Sequence, residues 1–173
     1  MRATLTSSGT FSFGSETFRA AFGRGGIRRH KQEGDGATPV GLLPLRQVLY
    51  RPDRVAAPVS VVPVSVVPVG VVPVRPLGPD DGWCDDPADA RYNRAVDLPI
   101  SASAESLWRD DEVYDIIGVL GWNDDPVVPG RGSAIFLHLA RPDFAPTQGC
   151  IALPLDDLRV ILGQGLSEIL VTG

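Results

Sequence analysis

Residues 55–74, VAAPVSVVPVSVVPVGVVPV, form 20 consecutive uncharged positions between Arg54 and Arg75. Length alone would suggest a membrane-spanning helix. Proline forbids it. Pro58, Pro63, Pro68 and Pro73 recur every five residues, and each removes a helical donor and clashes with the preceding turn. In lipid those backbone groups would stay unpaired, so no transmembrane segment is expected. A repeat of five fits neither the strand period nor the helical one. The stretch reads as an extended or polyproline-like insertion, on the surface or at a sheet edge. It would serve as a partner-docking arm or, more simply, be a slipped-repeat insertion in a loop. Its proline spacing also limits β-aggregation of so much valine.

The rest of the 173 residues suffices for one domain with one core. Net charge is −5 with one lysine, Lys31, among 16 basic residues. Residues 1–54 carry +5 and residues 55–173 carry −10. This balance argues against nucleic acid as a partner, while the first third could attract an anionic ligand. Two cysteines, Cys84 and Cys150, make no disulfide framework, and His30 and His138 lie far apart. Neither a metal site nor a cofactor is expected.

The pattern is mainly β. Thr10–Phe13, Thr17–Phe22 and Leu42–Tyr50 are strand candidates, the last despite Pro44. Residues 75–111 read as a long loop excursion, too long to be without function. Val113–Leu120 and Ser133–Ala140 read as buried strands separated by a turn. Pro154 starts a helix with Asp156 and Asp157 in its first turn, and Leu155, Leu158, Ile161 and Leu162 form its apolar stripe. Ser167–Thr172 closes as a strand. The expectation is a single domain over 1–173, with the insertion at 55–74 and the loop at 75–111.

His138 lies on one strand and Cys150 just past the next loop. A return loop of that length can bring them side by side. An imidazole can then take the thiol proton and produce a nucleophilic thiolate. Gly149 removes a side chain where a carbonyl must approach, and backbone N–H groups there could hold an oxyanion. On spacing alone, a buried cysteine beside a satisfied core histidine explains the same letters.

The segment HLARPDFAPTQGCIAL resembles the signature of the L,D-transpeptidase (YkuD) family, through His138, Thr147, Gly149, Cys150, Ile151 and Leu153. Upstream, Thr38-Pro39-Val40-Gly41 resembles the family's Thr-Pro-x-Gly motif. The order EGDGATPVG, DGWCDDPADARYN, NDDPVVPGRGSAIFLH and TQGCIAL is similar to a short proteobacterial branch, associated with cross-links from L-Ala at stem position one to diaminopimelate at position three. The resemblance implies a β-sandwich-like catalytic domain with a cysteine acyl-enzyme on peptidoglycan stem peptides. It also makes the Leu139 backbone carbonyl the orienter of His138. Three departures stand out. Gln148 replaces a histidine, Ala152 replaces an arginine, and the gap from His138 to Cys150 is short. Gln148 cannot titrate, and Ala152 removes a carboxylate clamp.

Other candidates face simpler readings. Arg131 and Arg141 flank the histidine strand and could replace the lost clamp, or be solvated loop arginines. Tyr92 and Asn93 could bind peptide or anchor their loop. Trp83 and Trp108 could wall a groove, but packing the loop onto the sheet is commoner. Lys31 could meet a stem carboxylate but reads more simply as part of a surface cluster, and His30 as an exposed polar residue. Asp115 is structural or positions the site. Cys84 is expected to be remote or buried, with a redox pairing to Cys150 as the alternative. The alternatives are an L,D-carboxypeptidase or endopeptidase acting by the same chemistry, or a non-catalytic wall-binding module of the same fold. Papain-like wall peptidases have the opposite Cys–His order, and sortases a longer separation with a downstream arginine. The implied function places the protein in the periplasm. The N-terminus shows no apolar signal region, which leaves the cytoplasm as the fallback.

Overall fold

Short alternating segments become short strands. In the computed structural model, which describes residues 1–59 and 72–173, Ala3 and Leu5 of β1 (Arg2–Leu5) point inward, as do Phe11 and Phe13 of β2 (Thr10–Phe13). Their polar neighbours point out, as a half-buried strand requires. β3 (Glu16–Arg19) completes a hairpin with β2, and the short strands β4 (Ile27–Arg28) and β5 (Thr38–Pro39) pair with each other. The long strand β6 (Gly41–Tyr50) follows, with β7 (Val74–Pro76) alongside its far end. The repeat between them lies largely outside the described residues, including its prolines Pro63 and Pro68, so its expected extended form is not addressed.

The excursion is not a loop throughout. It folds into a three-stranded sheet in which β8 (Asp81–Cys84) lies between β9 (Arg94–Asp97) and β10 (Ala104–Ser106). These strands of three or four residues contain glycine, aspartate and alanine and lack a sustained alternation. Their stability comes from packing on a neighbour, which periodicity does not report.

A 3₁₀ turn at Glu112–Tyr114 precedes β11 (Ile116–Leu120), so the expected strand starts later than Val113. β12 (Phe136–Leu139) and β13 (Ile151–Leu153) follow. The helix α1 (Leu155–Gly163) buries Leu158, Ile161 and Leu162, and β14 (Glu168–Val171) ends the fold. The main sheet runs β13-β12-β11-β6-β14-β1-β2-β3. Beyond β3, Ala21 exchanges two backbone hydrogen bonds with Ala152 of β13, at 2.9 and 2.8 Å. The ends of the sheet thereby meet, and it closes into a barrel-like sandwich.

Two cores result. Leu43, Leu45, Val48, Ile116, Leu137, Ile151 and the buried face of α1 fill the inside. On the outer face, Leu49, Ile117, Val119 and Phe136 pack against Leu77, Leu107 and Tyr114, with Trp83 and Trp108 partly buried beside them. Trp83 and Tyr114 both meet the Phe136 ring edge-on, with centroids 5.2 and 6.0 Å away. A register shift between Val119 and Leu120, opposite β6, lets Leu45 and Val48 both face inward. The arginines fasten the excursion from outside. Arg51 donates to the Arg109 carbonyl and lies over Trp108, 3.7 Å from its ring centre, while Arg54 donates to the carbonyls of Asp110 and Asp111.

Phe136→Ala is expected to cost about 3–5 kcal/mol in urea unfolding, from lost burial and the cavity left behind. A loss below about 1 kcal/mol would show that the outer core does not hold the excursion in place.

Candidate active site

Strand alternation builds the site. β12 and β13 run parallel, with Leu137 opposite Ile151, His138 opposite Ala152 and Leu139 opposite Leu153. Leu137, Leu139, Ile151 and Leu153 enter the inner core. Phe136 and His138 therefore project from the opposite face, beside Cys150 and Ala152. His138, Cys150 and Ala152 line one cavity of about 530 Å³.

The cysteine is tightly held. Its thiol donates to the Ala134 carbonyl at 3.2 Å and accepts from the Phe136 N–H at 3.4 Å. The His138 Nδ1 lies 2.9 Å from the Leu139 carbonyl. A carbonyl only accepts, so Nδ1 carries the proton and Nε2 is left as the bare acceptor. The Tyr114 ring meets the imidazole edge-on at 5.3 Å. Burial pushes the His138 imidazole down to about 4. Burial first, then the charge of Glu105, pushes the Cys150 thiol up to about 12. At neutral pH the resting pair is thiol and neutral imidazole.

The Thr-Pro-x-Gly segment acts on the cysteine turn directly. The fully buried Thr38 hydroxyl accepts from the Gly23 N–H at 2.9 Å and donates to the Gly149 carbonyl at 2.8 Å. Gly149 has φ of +137°, and a Cβ there would sit 2.9 Å from the Ala37 carbonyl oxygen. Only glycine satisfies both demands. Thr147 braces the other side, donating to the Cys150 carbonyl at 2.7 Å and accepting from the Gly149 N–H at 3.1 Å. The Gly149 N–H is therefore engaged and does not stand free for an oxyanion.

The structure separates the remaining candidates. Thr147, Gln148 and Arg141 line the cavity. Arg131 does not; it lies over Trp122, 5.2 Å from its ring centre. Tyr92 and Asn93 do not line the cavity, and their polar atoms are paired within the protein. The Tyr92 hydroxyl donates to Glu33 and accepts from the Gly132 N–H. The Asn93 side chain holds the carbonyls of Trp122 and Asn123, the Trp83 indole and the Ala134 N–H. Trp83 and Trp108 pack the excursion, His30 is exposed, and Asp115 pairs with Arg54 at 3.1 Å. Lys31 is not a surface residue: it is buried, lines the cavity and pairs with Asp35 at 2.6 Å. Cys84 is buried and free. Sequence reasoning missed Asp85, Glu105, Arg109 and Tyr114, all from the excursion or its exit and all lining the cavity. Their only signal was the density of charge in that segment.

The description "L,D-transpeptidase catalytic domain" (YkuD) matches residues 11–166. The chain belongs to the L,D-transpeptidase (YkuD) family. No curated protein matches it. Membership in the L,D-transpeptidase family implies a peptidoglycan substrate. No helix among the described residues is long and apolar enough to cross a membrane. For this L,D-transpeptidase domain the Thr38 contacts give the upstream motif a physical meaning, since they fix the backbone entering Cys150.

Two outcomes test this geometry. Alkylation at Cys150, followed by peptide mass analysis, should rise about tenfold per pH unit from pH 7 to 10 without a plateau; a plateau below pH 9 would mean an activated thiolate at rest. Thr38→Val should cost about 1–3 kcal/mol in chemical unfolding, because the Gly23 N–H loses its buried acceptor.

Proposed function

We propose that the protein is a cysteine-dependent L,D-transpeptidase that cross-links peptidoglycan stem peptides, working in the periplasm where that polymer is built. The observation that carries this reading is the buried thiol of Cys150 in one cavity with a neutral His138, whose Nδ1 is occupied by the Leu139 carbonyl. Cys150 attacks a stem-peptide carbonyl. Nε2 of His138 takes the thiol proton and passes it to the departing amine, leaving a thioester. An amine of a second stem attacks the thioester, the carbon–sulfur bond breaks, and the amine proton returns to sulfur through His138. The Gln148 and Cys150 N–H groups have no partner among the described residues and are the donors available to the developing oxyanion. With Ala152 in place of an arginine, Arg141 and Arg109 at the cavity rim supply the positive charge for stem carboxylates. The short-branch resemblance makes L-Ala at position one the acyl donor and diaminopimelate at position three the acceptor.

Incubation with purified muropeptides, read by mass and fragmentation, tests reaction and bond position together. A cross-linked product with its donor at L-Ala is expected; hydrolysis products alone would make the protein a carboxypeptidase or endopeptidase. Cys150→Ala should lower turnover by at least about 10³-fold while keeping the fold. A carbapenem should leave a stoichiometric adduct on Cys150. No adduct at either pH 7 or pH 9 would point to a wall-binding module.

A further inference from the structure

Two carboxylates, Asp85 and Glu105, form one wall of the cavity. Trp83 pairs with Glu105 across β8 and β10, and the Asp85 N–H donates to the Ser103 carbonyl at 3.2 Å. Alternation places Trp83, Asp85 and Glu105 on the same face of the small sheet. That face meets the main sheet through Trp83 and Phe136. Glu105 lies near enough to Cys150 for its charge to act on the thiol.

The cations of the cavity sit closer to other carboxylates than to this wall. Asp35 holds Lys31, and Asp111 holds both Arg109 and Arg141, at 2.7 and 3.4 Å. The acidic wall is paired far less closely. Asp85 Oδ1 is buried and accepts no hydrogen bond from the described residues. Glu105 accepts the Tyr114 hydroxyl at 2.8 Å, while Arg109 stays 3.9 Å away. A buried carboxylate oxygen without a donor is costly, and the cost falls when a cationic donor reaches it. A divalent cation would want six or more oxygens, and among the described residues no group of three His, Cys, Asp or Glu converges on a point. A primary ammonium, with three donors and one charge, fits two carboxylates.

We propose that Asp85 and Glu105 form an ammonium subsite that docks the acceptor amine beside the Cys150 thioester and so favours transfer over hydrolysis. The proposal rests on Cys150 as the acyl carrier. The amine is the one cationic group that must come within bonding distance of the thioester carbon. The docked ammonium gives one proton to the carboxylate wall and becomes nucleophilic. It attacks the carbonyl, the carbon–sulfur bond breaks, and its second proton reaches sulfur through His138. Water has no charge to be held there.

The test compares the intact protein with Asp85→Asn and Glu105→Gln, each supplied with a muropeptide donor and increasing acceptor amine. Mass analysis reads the ratio of transfer to hydrolysis. Each variant should lower that ratio by about tenfold or more, through a higher KM for the acceptor, as loss of a charge-assisted contact predicts. A ratio within about twofold of the parent in both variants would overturn the subsite. If both variants fold by circular dichroism yet take no carbapenem adduct on Cys150, the carboxylates serve acylation and the subsite is also overturned. Absence of the adduct in the parent protein would instead overturn the acyl-carrier reading itself.

Discussion

The parallel pairing of β12 with β13 is the constraint on which the candidate site depends. It sets His138 level with Ala152 and places Cys150 one residue before Ile151. A one-residue slip would turn His138 into the inner core and bring Leu139 out. Parallel neighbours cannot be joined by a tight hairpin; they need a crossover of about a dozen residues. Residues 140–150 supply just about that minimum, which is as short as the gap between the histidine and the cysteine can be. The crossover is then held by backbone contacts to the strand beyond β3, from Thr147 to Phe22 and from Arg24 to Thr147. The closure of the sheet and the geometry of the cysteine turn are one feature.

Because β12 is buried on both faces, the protein needs a second layer outside the barrel. The excursion supplies it, and in doing so it supplies one wall of the cavity. Phe136 sits under Trp83 and Tyr114, and Glu105, Arg109 and Tyr114 reach the cavity from the same segment. Arg51 and Arg54, at the end of β6, grip the backbone of residues 109–111 rather than a ligand. A planar guanidinium with several fixed donors suits that task better than an ammonium would, which agrees with how few lysines the chain uses.

The legible parts were those whose signal is local. The alternation in Thr10–Phe13, the stripe of α1 and the Gly149-Cys150-Ile151 turn with its upstream histidine are readable because each is decided by near neighbours. The three-stranded sheet at 81–106 was not, since Asp81–Cys84 and Arg94–Asp97 become strands only against each other and against Phe136. Lys31 was misjudged for the same reason. Its neighbours in sequence are charged, but the fold buries it against Asp35. For Tyr92 and Asn93, polar residues in a long segment, peptide binding and loop anchoring were equally open. Their partners, Glu33, Gly132, Trp122 and Ala134, are distant in sequence. The departure at Ala152 was visible, and so was Arg141 of the same cavity, while Arg109 belongs to an excursion whose position no periodicity could give.

The electrostatics of the pair follow from this enclosure. Burial holds the thiol protonated and the imidazole neutral, each by disfavouring its charged form. An ion pair at rest would have to be desolvated on both sides, and Glu105 adds repulsion on the sulfur side. In the proposed reaction the proton would then leave sulfur as the carbonyl arrives, so that negative charge passes to the carbonyl oxygen instead of collecting on sulfur. A thiol kept in this state is protected from adventitious oxidation and alkylation, since the thiolate is the reactive form. The same negative wall that discourages the free thiolate would favour a cationic amine once sulfur is acylated and uncharged. Under that proposal, one fixed charge arrangement would restrain the first half of the reaction in the absence of substrate and assist the second half in its presence.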